Sequence, residues 1–261
     1  LACVGPFPRM RSALQKQPMN TTRTILRLSV VVAMACVAQA QDFNENFDGY
    51  AAGGNVHGQG GWKGWFNDAG AGAVVSTSQA KSAPNSVNIT GGSDLVHEFN
   101  YTSGKWQISI DQYVPSSASS TADNKFYLIF LNTYNDANQG LNWSIQTIGD
   151  LSTGLFSEAG GTGNAAHSAT APIVKDAWAT WTLDVDLDAN SVQQYYNGAA
   201  FGTPFAWQVG GANAIGAIDL YANNTGPVYY DNLTIQQIPE PSVLALIGLG
   251  GLALGLRRRV R

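Results

Sequence analysis

Trp178-Ala-Thr-Trp-Thr-Leu-Asp-Val-Asp-Leu187 is the stretch that decides the fold. Trp181, Leu183, Val185 and Leu187 recur at every second position, and Thr182, Asp184 and Asp186 stand between them. A period of two sends the apolar set to one face of a strand and the polar set to the other, so one face meets a core and one meets water. Asp188-Ala-Asn-Ser then turns the chain, and Tyr195-Tyr-Asn-Gly closes the return, which predicts a hairpin.

Outward from that hairpin the same signal repeats. Trp106-Gln-Ile-Ser-Ile-Asp-Gln-Tyr-Val114 alternates in part, and Phe126 to Leu131 is a continuous apolar run of strand length. Turn clusters separate such runs: Gly91-Gly-Ser-Asp94, Ser116 to Asn124, Gly160-Gly-Thr-Gly-Asn164 and Asn223-Asn-Thr-Gly226. No stretch of helical length carries a clean apolar stripe. Many short strands joined by Gly- and Asn-rich turns predict an all-β sandwich or barrel.

Composition narrows the function. Of 261 residues only 12% are charged, about half the usual share, while 7 Trp, 10 Tyr and 10 Phe supply ample core material. Between residues 41 and 238 there are five Lys, no Arg and 17 acids, a formal charge of −12. Phosphate backbones require clustered cations, so nucleic acid is excluded as a partner.

The remaining cations sit at the ends. Reading from Met19, Arg23 and Arg27 precede an apolar stretch, Leu28 to Ala38, and Ala38-Gln-Ala40 closes it. This is the pattern of a secretory signal peptide at 19–40, cut by signal peptidase after Ala40. Residues 1–18, with Gly5, Pro6 and Pro8, read as a misplaced start; Met10 is a second candidate start. Both cysteines, Cys3 and Cys36, precede the cut, so residues 41–238 have no disulfide or thiol chemistry. At the other end Pro239-Glu240-Pro241 leads into an uncharged apolar run, Val243 to Leu256, closed by Arg257, Arg258 and Arg259. That run is short for a spanning helix, and the arginines place its far end on the cytoplasmic side.

This tripartite tail, residues 239–261, resembles the PEP-CTERM sorting signal. The resemblance implies transient passage through the inner membrane and cutting by exosortase, with delivery to the cell envelope, surface or extracellular matrix. The body, 41–238, resembles exported jelly-roll domains in four stretches: Phe43 to Tyr50, Gly58-Gln-Gly-Gly-Trp-Lys-Gly-Trp65, Ser82-Ala-Pro-Asn-Ser-Val87 and Val228-Tyr-Tyr-Asp-Asn-Leu-Thr-Ile235. Its Trp178 hairpin is similar to the concanavalin A-like (LamG-like) lectin and glucanase group. The likeness implies a two-sheet antiparallel jelly roll, and superfolds of this kind host many functions.

Several residue sets are candidates for a site. Asp184, Asp186 and Asp188 share a strand face with neighbours about 6.6 Å apart, as a pair of hydrolytic carboxylates would. The lectin/glucanase motif carries Glu at the outer positions where this chain has Asp, and Asp188 also suits a turn; solvent-facing strand acids are the stronger reading. A lyase acting on acidic polysaccharide finds no Arg to neutralise its substrate and a repelling field. His57, His97 and His167 are the three histidines and lack paired metal spacing, and no Gly-x-Ser-x-Gly elbow is present. Similar jelly rolls clamp a structural calcium, which the resemblance places at Glu45 or Asp48 with Asp231. Finally, Trp62 and Trp65 in a Gly-rich loop, with Tyr134, Asn142 and Trp143 around the Asn135–Gly140 loop, present rings and amides suited to sugars.

Together these readings predict an exported envelope or exopolysaccharide-matrix protein that contacts carbohydrate without chemistry, with calcium as a structural cofactor. The alternatives are a glycoside hydrolase using Asp184, Asp186 or Asp188, and a purely structural matrix or adhesion protein.

Overall fold

The computed structural model describes residues 41–120, 123–163 and 167–238. The expected signal peptide, the stretch 1–18 and the tail 239–261 lie outside the described residues. In chain order the strands are β1 (Gln41–Glu45), β2 (Trp62–Gly64), β3 (Val74–Ser76), β4 (Ser86–Ile89), β5 (Asp94–Tyr101) and β6 (Lys105–Tyr113). Next come β7 (Ser119–Ser120), β8 (Lys125–Thr133), β9 (Asn142–Asp150), β10 (Leu155–Glu158), β11 (His167–Pro172) and β12 (Trp178–Asp186). The chain ends on β13 (Ser191–Tyr196), β14 (Ala199–Phe205), β15 (Ile215–Ala222), β16 (Thr225–Gly226) and β17 (Val228–Ile238).

Two sheets face each other, as the alternation predicts. The eight-stranded sheet runs β14-β13-β12-β6-β17-β4-β3, with β1 also on β17, and the seven-stranded sheet runs β11-β10-β9-β8-β15-β5-β2. A two-stranded ribbon pairs β16 with β7. Every strand pairing is antiparallel. Consecutive β12 and β13 form the expected hairpin, with Val185 opposite Val192 and Trp181 opposite Tyr196.

The core lies between the sheets. Ala179, Trp181, Leu183 and Val185 of β12 point inward, and so do Phe126, Leu128 and Phe130 of β8. The Trp181 ring meets Phe156 of the opposite sheet edge-on at 5.0 Å between centroids. Each large side chain so buried contributes about 1.5–3 kcal/mol relative to exposure.

One polar cluster crosses this apolar layer. Glu158 of β10 is 2% exposed and Gln194 of β13 is 1% exposed, although the two belong to opposite sheets. The Glu158 carboxylate accepts from the backbone N–H of Gln146 and of Gly160, both at 2.9 Å, from Thr147 Oγ1 at 2.9 Å and from Gln194 Nε2 at 3.0 Å. Four donors aimed at one carboxylate lock β9, β10 and β13 in register, because a slip would strand them all without a partner. Glu158→Ala therefore lowers the unfolding free energy by about 3 kcal/mol or more, measured by chemical denaturation. Glu158→Gln, which keeps part of the acceptor set, loses less.

Candidate functional site

Alternation along β8 turns Tyr127, Ile129 and Leu131 away from the core, onto the outer face of the seven-stranded sheet. From β5 the same face receives Asp94, Val96 and Glu98, and from β15 Ala217, Asp219 and Tyr221. Val96, Leu131 and Ala217 are fully buried although they point outward, since Trp65, Trp143 and Leu141 pack over them.

Trp65 reaches this face from the segment after β2, in a short 3-10 turn, Trp65–Asn67. The chain folds back tightly there: a Cβ on Gly64 would lie 1.9 Å from the Asp68 carbonyl oxygen, so only glycine fits. Phe66 takes the left-handed conformation, φ 54 and ψ 29, which a bulky residue adopts only when its surroundings impose it. The imposing group is the Tyr134 hydroxyl, which accepts from Phe66 N–H at 2.9 Å. Trp65 then stands edge-on to Tyr134 at 5.1 Å and nearly parallel to Trp143, 6.5 Å away at 26°. Below them Lys63 lies 5.2 Å over the Tyr134 ring, binding Asp136 at 2.7 Å and also Glu98. Burial pulls the Lys63 pKa down, but those two carboxylates prevail and hold it above its ordinary value.

Further along the face Asp94 and Asp219 touch. Tyr221 is opposite both Asp94 and Tyr127, and its ring stacks on Tyr127 at 5.3 Å. Asp219 is 3% exposed. Burial pushes the Asp94 carboxyl up to about 6, against a lowering by its hydrogen bond to Asp219. Burial first, and then the neighbouring Asp94 charge, pushes Asp219 well above the usual carboxylate range. Two carboxyls so close cannot both ionise, and the pair keeps a proton between them.

Of the five predicted sugar-contact residues, Trp65 and Trp143 are half-buried surface rings on this face. Trp62 and Tyr134 require correction. Trp62 is 1% exposed, packed on Phe47 and His97, with its indole N–H on Glu45 Oε2 at 3.2 Å. Tyr134 is 9% exposed and its hydroxyl is committed to Phe66 and Asp136, so it backs Trp65 instead of meeting a ligand. Asn142 packs against Gly211, with its Oδ1 buried and unpaired.

Nor are the expected calcium ligands gathered. Glu45 accepts from Phe47 N–H, Tyr50 Oη and Trp62 Nε1; Asp48 accepts from Asn85 N–H and Asn46 Nδ2; Asp231 accepts from the N–H groups of Lys81, Ser82 and Asn232. Each carboxylate is satisfied by its own protein donors, and among the described residues no three His, Cys, Asp or Glu converge as a metal site. Asp184 and Asp186 do lie on the outward face of β12, alternating with its core positions. Asp184 accepts from Gln107 Nε2 at 2.9 Å, Asp186 faces Lys105 Nζ at 3.6 Å, and Asp188 accepts from Gly104 N–H at 3.0 Å. The groove of about 220 Å³ beside Asp184 and Asp186 is lined by no aromatic residue. His57 Nδ1 accepts from Gly64 N–H, and His97 is wedged between Phe43 and Phe99, where burial lowers its pKa.

The carboxyl pair escaped the sequence reading. Asp94 closes a Gly-Gly-Ser-Asp turn cluster and Asp219 interrupts the apolar strand Ile215–Ala222, 125 residues later. A lone acid inside such a strand was the available signal.

Residues 237–259 match the PEP-CTERM protein-sorting motif. The chain thus carries the signal of a secreted, envelope-targeted protein processed by exosortase. No curated protein is significantly similar to it in sequence. Among solved structures, the endo-1,3-beta-glucanase from Streptomyces sioyaensis aligns with a TM-score of 0.50 at 11% identity, over 77% of this chain and 97% of that one. The alginate lyase Aly36B aligns at 0.49 and 12% identity, over 77% and 98%. The carbohydrate-binding module CBM66 from Bacillus subtilis aligns at 0.43 and 12% identity, over 68% and 96%. The body is a jelly-roll sandwich of the concanavalin A-like type.

The carboxyl pair makes stability depend on pH. Both folded pKa values lie above the unfolded value near 3.8, so the folded state holds protons that the unfolded chain has released. The stability contributed by Asp94 is complete below about pH 4 and is lost as pH rises through about 6, and that contributed by Asp219 is lost over a higher range. In thermal melts across that range Asp219→Asn flattens this decline and raises Tm at neutral pH.

Proposed function

We propose that the outer face of the seven-stranded sheet binds an extracellular polysaccharide without cleaving it. The observation that carries this reading is how the indole N–H groups are used. The chain has seven Trp. Those of Trp62, Trp106, Trp181 and Trp207 are each hydrogen-bonded inside the protein. The indoles of Trp65 and Trp143 bond to no described residue, and the two rings stand nearly parallel at the surface. A buried N–H needs an internal partner, whereas one held at a surface beside a flat apolar ring is free for a hydroxyl of a stacked sugar.

Sugar rings offer apolar C–H faces for stacking and hydroxyls for fixed polar partners, and both are available along this strip. Tyr127 and Tyr221, whose hydroxyls are likewise unbonded to described residues, lie about 13 Å farther along β8, four residues at about 3.3 Å each. The half-buried Asp94 carboxyl beside them can accept from a sugar hydroxyl. The formal charge of −12 over residues 41–238 disfavours a polyanion and suits an uncharged polymer. One structural match also supports the reading, since its name gives a β-1,3-glucan as the polymer acted on. No observation favours the hydrolase built on Asp184, Asp186 and Asp188.

Trp65→Ala and Trp143→Ala each weaken binding to a soluble neutral glucan about tenfold, the usual cost of truncating an aromatic anchor. Affinity electrophoresis reads the loss, and far-ultraviolet circular dichroism confirms an intact fold. Unchanged mobility of both variants, or shortening of the polymer by the wild-type protein, refutes the proposal.

A further inference from the structure

The third indole without an internal partner is on the opposite side of the molecule. Trp178 sits at the start of β12 and points away from the core, two positions before the outward Thr180 and one before the buried Ala179. The ladders place Trp178 opposite Tyr113 of β6, Tyr113 opposite Tyr229 of β17, Tyr229 opposite Asn88 of β4, and Asn88 opposite Val74 of β3. Five side chains from five adjacent strands thus form one straight row across the outer face of the eight-stranded sheet. At about 4.8 Å per strand the row is about 19 Å long.

Its chemistry is that of a stacking surface. Ring centroids are 5.5 Å apart for Tyr113 and Trp178, and 6.3 Å for Tyr113 and Tyr229. Trp178 and Tyr113 are half-buried, Tyr229 is 8% exposed, and Val74 is 44% exposed at the far end. Neither the Trp178 indole nor the Tyr113 and Tyr229 hydroxyls bond to a described residue. The buried tyrosines Tyr196 and Tyr230, by contrast, accept from Val174 N–H and Gln112 Nε2. Cross-strand aromatic packing alone would explain the ring contacts, but it leaves three polar handles pointing outward with nothing to hold.

Charge selects the occupant. Asp111 and Asp231, two residues from the row on β6 and β17, are 8% and 0% exposed and already accept from Thr180 Oγ1, Asn232 Nδ2 and three backbone N–H groups, while the exposed Asp176, two residues before Trp178, accepts from Ser116 N–H and is joined there by the exposed Lys175. The row itself therefore presents rings, hydroxyls and an amide without an open charge. It sits on a body of charge −12, which turns away polyanions.

We propose that the row Trp178, Tyr113, Tyr229 and Asn88 is a second contact strip for an uncharged polysaccharide. With one strip on each outer face, a single chain bridges two polymer strands. The bridging rests on the reading of the seven-stranded face given above; the strip does not.

The test uses the purified full-length chain with three uncharged polymers: a soluble β-1,3-glucan, hydroxyethyl cellulose and galactomannan. Alginate serves as the anionic control. Affinity electrophoresis reads Kd, and light scattering reads cross-linking as the ratio of protein to polymer is varied. Wild type is expected to bind a neutral polymer and to give scattering that rises and then falls with that ratio. Trp178→Ala combined with Tyr113→Ala abolishes the scattering maximum while binding through the other face persists. Trp65→Ala combined with Trp143→Ala leaves a residual affinity, and adding Trp178→Ala weakens it about tenfold further. Should the double alanine variant fail to fold, Trp178→Phe with Tyr113→Phe keeps the cross-strand packing and removes two polar handles; a reduced scattering maximum is then the expected result.

Scattering unchanged in the Trp178 variants overturns the strip. So does complete loss of binding in the Trp65 and Trp143 double variant, an outcome that leaves the function proposed above intact. Full binding in that variant, abolished by Trp178→Ala, supports the strip and refutes the seven-stranded face. Scattering without polymer means that a second copy of the chain occupies the row, and binding to none of the neutral polymers removes both readings.

Discussion

Strand β17 carries the constraint on which the sandwich depends. Its 11 residues run beside β6 along one edge and share the other edge between β4 and β1. Residues that are far apart in the chain thus become ladder partners: Tyr229 faces Asn88 and Tyr113, and Leu233 faces Glu45. Until this last strand docks, β4 and β1 have an unpaired edge and the inner face of the sheet is incomplete. Its register against β6 slips once, between Asp231 and Thr234, where Asn232 takes a positive φ. That bulge keeps Tyr230, Leu233 and Ile235 all in the core, and it leaves Asp231 outward beneath the Lys81–Ser82 segment. Pairing of this long-range kind is entropically expensive and slow to form, and it is repaid only when both sheets close on the core.

Polar groups inside this protein follow two opposite solutions. Glu158 is surrounded by donors, and every one of its four bonds ties a strand into register. Asp94 and Asp219 lie against each other on the outer sheet face, where burial raises both above the usual carboxylate range. The first solution serves the fold. The second leaves two raised carboxyl groups beside Tyr127 and Tyr221, at a cost in stability near neutral pH. Local geometry spent on Phe66 and Gly64 has the same character, because it contributes nothing to the core and positions Trp65.

Much of the fold was legible because a strand's faces alternate strictly. The period of two at Trp181, Leu183 and Val185 needed no neighbour to be read, and the Asp188 turn announced the hairpin. The same rule placed Asp184 and Asp186 outward. Trp62 was misplaced because a Gly-rich loop looks solvated in one dimension, whereas here the loop closes over the sheet edge and brings the Trp62 ring against Phe47 and Glu45; Tyr134 was misplaced because nothing along the chain shows that its hydroxyl meets Phe66, 68 residues away. Glu45, Asp48 and Asp231, expected to hold calcium, are met instead by protein donors, because proximity in a fold pattern says nothing about which backbone N–H groups reach a carboxylate first.

What the amino-acid sequence determines alone is whatever depends on neighbours along the chain. This includes strand periodicity, turn chemistry, the charge balance of residues 41–238 and the sorting signal at the C-terminal end. Tertiary structure decides what depends on pairing between distant strands. Register brings Asp219 to Asp94 across 125 residues of chain, and aligns Trp178, Tyr113 and Tyr229 into one row. It also determines which indoles find an acceptor inside and which remain free at the surface. A hydrogen bond or a shared proton requires approach to within about 3 Å, and only the closed sandwich sets distances at that scale.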